Sequence, residues 1–285
     1  MAGRVGKRKL VPRQGSFKSV AMLMLVPLGG ILLFFLWNFL HGSTEPVAVL
    51  QSVMPKKKPQ TPSTPAGPRI VLILDDVGFD RQPLAPAMEI DPNFNFAVLP
   101  NARNARDFAT ALHARGFEVL CHLPMEPEGY PGVSPGDGAV LTSMSDAEIA
   151  RATRLNISGV PFARGVNNHM GSRATADRRV MASVLGALPD GMYFIDSKTT
   201  GSSVAATLAH SMRVKTASRS VFLDDVQSDA EIRKQLASLA EAAKEHGVAI
   251  GIGHMYPSTI RVLAAEAPAL RAHGVRFVRA SAVVD

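Results

Sequence analysis

The most constraining feature of the chain is an alternation that runs from Arg69 to the C-terminus. Short apolar runs are each followed by an amphipathic, helix-length segment. "RIVLIL", "FNFAVLP", "FEVLCHLP", "FARGVNN", "GMYFIDS", "RSVFLDD", "VAIGIGH" and "VRFVRA" read as strands. Helices are expected over Arg81–Glu89, Ala105–Ala114, Ala176–Leu188, Val204–Met212, Asp229–His246 and Ser258–His273. One more starts at the capping box Ser145–Glu148, in which a serine and a glutamate three residues on satisfy each other's backbone amides. Strands alternating with helices give a parallel sheet covered by helices. About eight units in some 215 residues predict a (β/α) barrel, distorted or one strand short, in preference to an open doubly wound sheet. No G-x-G-x-x-G and no P-loop follows any strand, so nucleotide is not an expected ligand.

Residues before this alternation have a different composition. Ser19–Leu40 carry no charge for 22 residues, enough for a helix to cross about 30 Å of hydrocarbon. Six basic residues precede it, which places residues 1–18 in the cytoplasm and exports everything beyond Leu40. The apolar stretch is too long for a cleaved signal, and "HGSTEPV" is a poor cleavage site, so an uncleaved single-pass anchor is expected. Residues 41–68 hold "PKKKPQTPSTPAGP" and read as an extended tether. The organisation expected is therefore a cytoplasmic segment at 1–18, an inner-membrane anchor at 19–40, a Pro/Lys-rich linker at 41–68, and a periplasmic domain at 69–285.

The net charge of +7 would suggest nucleic acid if it lay on the domain. It does not: up to Pro68 nine Lys and Arg face Glu45 alone, whereas the remaining 217 residues hold 22 basic and 23 acidic groups. Nucleic-acid binding loses its support. The single cysteine, Cys121, excludes a disulfide framework and a multi-thiolate metal site, and reads as a small buried hydrophobe. Any metal must be held by His and carboxylate.

In a parallel barrel the reactive groups sit at the carboxyl ends of the strands. The residues closing the apolar runs are Asp75 and Asp76, then His122, then Asn167, Asn168 and His169, then Asp196, Asp224 and Asp225, and His254. Polar groups thus cap six runs. Asp224–Asp225 read as turn and cap chemistry in "DDVQSDAE". His41, His113, His210, His246 and His273 lie in the tether or on helices and read as bystanders. Two adjacent carboxylates at the mouth of an apolar barrel repel each other, and burial raises at least one pKa, unless a cation neutralises them. A divalent metal fits. One Asp and imidazoles would ligate it, the other Asp would act as base, and His254 would protonate a leaving group.

"LILDDVG", "FAVLPN", "HLPMEP", "NNHMGS", "FIDSKT" and "IGHMYPST", in this order, resemble the divergent polysaccharide deacetylase family, a branch of the carbohydrate esterases acting on chitin-like or peptidoglycan sugars. The similarity covers essentially all of Arg69–Val284. It implies a distorted (β/α)7–8 barrel of the polysaccharide deacetylase type, a divalent metal, usually zinc, and a cell-envelope polysaccharide as substrate. It assigns Asp75 as base, Asp76 and His122 as metal ligands, His254 as acid, and Asp196 as a residue orienting a catalytic group. The family's second motif has two histidines four apart, and this chain has Glu126 at the second position. Either Glu126 supplies an oxygen or His169 completes the ligand set, the latter preferred because it ends its own strand. Glu126, Asn167, Asn168 and Thr259 then fall on the substrate side. Two other functions compete: a catalytically degenerate glycan- or protein-binding module, suggested by Glu126, and a glycosidase using Asp75, Asp76 and Asp196. The glycosidase ranks last, because adjacent acids cannot flank a bond and two histidines would be left idle.

Overall fold

The computed structural model describes residues 67–285. The expected anchor at 19–40 and nearly all of the tether lie outside the described residues. Among the described residues no helix is long and apolar enough to cross a membrane.

Among the described residues nine strands form one parallel sheet: β1 (Arg69–Val77), β2 (Asn95–Val98), β3 (Glu118–Met125), β4 (Gly165–Met170), β5 (Tyr193–Asp196), β6 (Thr216–Ser218), β7 (Val221–Phe222), β8 (Val248–His254) and β9 (Arg276–Phe277). Their order is β6-β5-β4-β3-β2-β1-β8-β7, with β9 beside β1. Seven helices alternate with them: α1 (Leu84–Met88), α2 (Ala105–Ala114), α3 (Asp146–Gly159), α4 (Arg178–Gly186), α5 (Ala205–Ser211), α6 (Asp229–His246) and α7 (Pro257–Ala272). The expected barrel is thus present, and its distortion has a specific form. β6 and β7 belong to one extended segment whose first part pairs with β5 and whose second part pairs with β8. Ser218 and Val221 are separated by only two residues, and the Arg219 amide still donates to Asp196 O while the Ser220 amide donates to Ile250 O. One chain segment therefore joins the two ends of the curled sheet.

The strand period of two sorts the side chains. Ile70, Leu72, Leu74, Val119, Cys121, Leu123, Val166 and Phe194 join the large cluster under the helices. Val71, Ile73, Leu120, Tyr193, Ile195, Ile250 and Ile252 form a second cluster, inside the barrel. Cys121 is fully buried among the outward residues, and burial pushes its thiol up. The C-terminal segment closes the amino end of the barrel: Ala280 and Val283 join the inner cluster, the Ala280 amide donates to Asn95 Oδ1, and the Ser281 amide donates to Glu118 Oε1. That leaves the carboxyl end as the open mouth.

Helix boundaries follow local chemistry. At α3 both bonds of the capping box between Ser145 and Glu148 are made. At α6 Ser228 caps the start and Gly247, at φ 78°, ends the helix in the left-handed region that glycine enters without strain. The helix expected over Arg81–Glu89 shrinks to Leu84–Met88, since Arg81 is left-handed at φ 63°, Pro83 disfavours helical backbone at Gln82, and Gln82 is engaged in the preceding turn.

Candidate metal centre

Strand parity decides which run-closing residues reach the mouth. Asp75 follows Val71 and Ile73, His122 follows Leu120, and His254 follows Ile250 and Ile252, all inward positions. Register then sets them level: Asp75 pairs with His254, His122 with Asn167, and Pro124 with His169. Asp76 should point outward, but its φ of 60° is left-handed and the β1–β2 pairing is irregular between Leu74 and Val77. A non-glycine residue held there costs on the order of 1–3 kcal/mol. This break in alternation sends both carboxylates to one face. Gln82 holds the turn, donating to Asp76 O at 2.6 Å and accepting from the amides of Gly78 and Phe79.

Three donor atoms converge. His169 Nδ1 lies 3.0 Å from Asp76 Oδ1, His122 Nε2 lies 3.3 Å from the same oxygen, and the two nitrogens are 3.2 Å apart. Donors each about 2.0–2.1 Å from a tetrahedral zinc stand about 3.3 Å from one another. The triangle has that size. Asp76 Oδ1 is buried and has no hydrogen bond of acceptable geometry, although both imidazoles are close. A buried carboxylate oxygen without a partner is costly, and a cation removes the cost. His122 Nδ1 meets Asn167 Oδ1 at 2.9 Å, while Asn167 Nδ2 donates to Asp75 Oδ1 at 2.9 Å. This chain of bonds makes Nδ1 the protonated nitrogen and leaves the Nε2 lone pair facing the triangle. The residues present therefore fit a divalent ion held by Asp76, His122 and His169.

The electrostatics agree. Burial by itself would raise the Asp76 carboxyl, but His122 and His169 override it and hold the group far below the carboxylate range. Burial pushes the Asp75 carboxyl up, against the opposing pull of His122, His254 and Asn167. His122 Nε2 is 3.6 Å from Asp75 Oδ2. Burial would lower His254, but Asp224 outweighs it and raises the imidazole to about 9. His254 Nε2 stands 3.9 Å from Asp76 Oδ2, and its ring stacks on Phe222 at 5.4 Å. Asp75, Asp76, His122, His169 and His254 border a cleft of about 560 Å³ whose walls include Lys198, Arg219, Phe222, Asp225 and Tyr256. The Arg219 guanidinium lies 4.6 Å over the Phe222 ring and donates to Ser197 O and Lys198 O.

Five of the expected site residues have their side chains engaged in hydrogen bonds within the protein. Asp196 falls on the opposite parity from Ile195, and its carboxylate accepts from the Lys198 amide and the Ser203 hydroxyl. The carboxylate beside His254 is that of Asp224, which reads in the sequence as turn and cap chemistry. Asn167 is fully buried, and its side-chain amide meets His122, Asp75 and Ser197. Asn168 borders the cleft but is spent on the Ser197 amide and Met170 O. Thr259 is fully buried, its hydroxyl on Asp224 Oδ2. Glu126 is buried away from the cleft, bound to Arg173 Nη1 at 2.7 Å and to the Thr142 amide, where it pins the loop after β3. Of the residues missed, Asp224 had a signal: it is two positions after the inward Phe222. Arg219 had none, since it sits between two strand fragments that read as one run.

Comparison with known proteins agrees with this architecture. The sequence model of the family described as "Divergent polysaccharide deacetylase" matches residues 72–284. The chain is 38% identical over 196 residues to YibQ of Escherichia coli K12, an uncharacterized protein, covering 68% of this chain and 61% of that one. An uncharacterized Haemophilus influenzae protein is 35% identical over 198 residues, 69% of this chain and 70% of its own length. The chain thus spans less than two thirds of the Escherichia coli relative. Among solved structures, the uncharacterized protein ATU2773 of Agrobacterium tumefaciens C58 superposes with a TM-score of 0.74 at 22% identity, over 78% of this chain and 91% of that one. The chain belongs to the divergent polysaccharide deacetylase family.

Proposed function

We propose that the chain is a metal-dependent hydrolase that removes N-acetyl groups from a cell-envelope polysaccharide. The observation that carries this reading is the triangle of Asp76, His122 and His169, with Asp75 beside it and His254 facing it across one cleft. A divalent ion there, zinc by its donor set, would supply an acidified water and polarise the acyl oxygen.

The chain's own groups supply the proton transfers. Asp75 takes a proton from water, as a carboxylate whose affinity for protons burial has increased. His254, kept protonated by Asp224, gives one to the departing nitrogen. Asn167 fixes His122 and Asp75 relative to each other. The products are acetate and a free amine on the sugar. The leader extends the proposal: residues 1–18 in the cytoplasm, 19–40 as a single-pass inner-membrane anchor, 41–68 as a tether, and 69–285 as a periplasmic domain facing the polymer. Against the degenerate-module reading stand the place of Glu126 outside the triangle and the presence of His169 as a third candidate donor.

The test is acetate release from N-acetylated chitin oligomers and peptidoglycan by the full-length protein. Release that stops on chelation and returns with zinc is expected. Folded, metal-loaded protein that releases none from either polymer would overturn the proposal.

A further inference from the structure

A second cavity, of about 330 Å³, opens off the same triangle. Asp76 and His169 border both spaces, whereas Asp75, His122 and His254 border only the cleft. The cavity therefore lies on the side of the triangle away from the acid. Its apolar wall is Phe79, Leu99, Ala102, Pro124 and Pro135. The polar groups at its rim are engaged: Asn101 Nδ2 donates to Asp137 O and Asn156 Oδ1, and the Ser134 hydroxyl accepts from the Gly136 amide. The exposed Asp137 carboxylate stands among the rim residues.

The argument rests on the hydrolase reading above. If His254 protonates the departing nitrogen, the amino sugar lies in the cleft and the acyl substituent, on the far side of the scissile bond, faces the second cavity. An acetyl methyl, about the size of one water, would fill only a small part of this solvent-open space. Apolar walls favour replacing water there with hydrocarbon. We infer that this cavity is an acyl chamber and that the substrate class extends beyond acetyl to N-acyl amino sugars with longer acyl chains, about four to six carbons. The reaction is R–CO–NH–R′ + H₂O → R–COO⁻ + R′–NH₃⁺. The carbon–nitrogen bond breaks, a carbon–oxygen bond forms, water gives a proton to Asp75, and the nitrogen takes its own from His254.

The experiment uses full-length, zinc-loaded protein with N-acetyl-, N-butanoyl- and N-hexanoyl-chitotriose. Calorimetric titration with acetate, butanoate and hexanoate gives a readout independent of turnover. Both kcat/KM and carboxylate affinity are expected to rise about fourfold per added methylene that is fully buried. Ala102→Trp, which fills the chamber, should flatten both trends. Because Ala102 also packs against the Gly78 turn, Ser134→Trp at the exposed rim is the companion variant, with the same expectation. Hydrolysis of acetyl alone, with no chain-length trend in binding, overturns the chamber and leaves the hydrolase reading standing. No hydrolysis of any acyl chain, with a chain-length trend in binding that Ser134→Trp abolishes, overturns the hydrolase reading and supports the chamber. Chitotriose affinity that falls on Phe79→Ala, without a chain-length trend, makes the cavity a sugar subsite and overturns the chamber.

Discussion

His254 Nδ1 lies 2.9 Å from Asp224 Oδ1, and the other oxygen of that carboxylate takes the backbone amide of His254 at 2.7 Å and the Thr259 hydroxyl at 2.6 Å. The carboxylate is thereby fully used and the imidazole fixed, with Nε2 turned toward the triangle. Asp224 raises His254 to about 9 despite burial. A general acid must be protonated, so the alkaline limb of activity falls as pH rises through that value. Asp224→Asn removes the anion and leaves the burial, which lowers the imidazole. The alkaline limb of the kcat profile should move down toward neutrality, with kcat reduced about 10²-fold or more at pH 8. An unmoved limb would show that His254 is not the acid.

Asn167 tests the support of the centre without removing a ligand. Asn167→Ala deletes the acceptor for His122 Nδ1 and the donor to Asp75. Zinc affinity should fall about 10–100-fold, the usual effect of losing a partner that orients a ligating histidine. Competition titration with a chelating dye measures this.

Asp75 and Asp76 are neighbours with separable roles. Asp75→Asn should keep metal stoichiometry while lowering kcat about 10²–10⁴-fold, the range for a lost general base. Asp76→Asn should lower metal content itself. Equal metal loss in both variants would contradict the division of labour.

Glu126 separates two ways of completing the ligand set. Its carboxyl is held below the usual range: burial opposes this, but the Thr142 amide and Arg173 outweigh it. Glu126→Ala leaves the Arg173 guanidinium and the Thr142 amide short of a partner. Denaturant unfolding should show a loss of about 1–3 kcal/mol, discounted for the part-exposed arginine, with metal stoichiometry unchanged.

The barrel was legible because its signal is local and repeated. α2, α6 and β8 occupy the residues that periodicity and caps assign to them. The Asp75–Asp76 pair, His122, His169 and His254 were legible from their position at the ends of apolar runs. Parity at run ends was the harder part. Asp196 and Asp224 both close a run, yet only Asp224 has the phase of the inward residues, and the phase of β7 depends on the break between two fragments at Arg219–Ser220. The left-handed turn at Asp76 left no mark in hydropathy, and Gln82 is recognised as its support only when the turn exists. Asn167, Thr259 and Glu126 look like substrate ligands in sequence because a polar group near a motif carries no indication of what it bonds once buried.

The most direct test is metal content of the full-length protein by elemental mass spectrometry, beside Asp76→Ala, His122→Ala and His169→Ala. About one divalent ion per chain, lost in each variant while circular dichroism stays unchanged, is the predicted result. Folded wild-type protein that takes up no zinc, or uptake indifferent to all three substitutions, would contradict it.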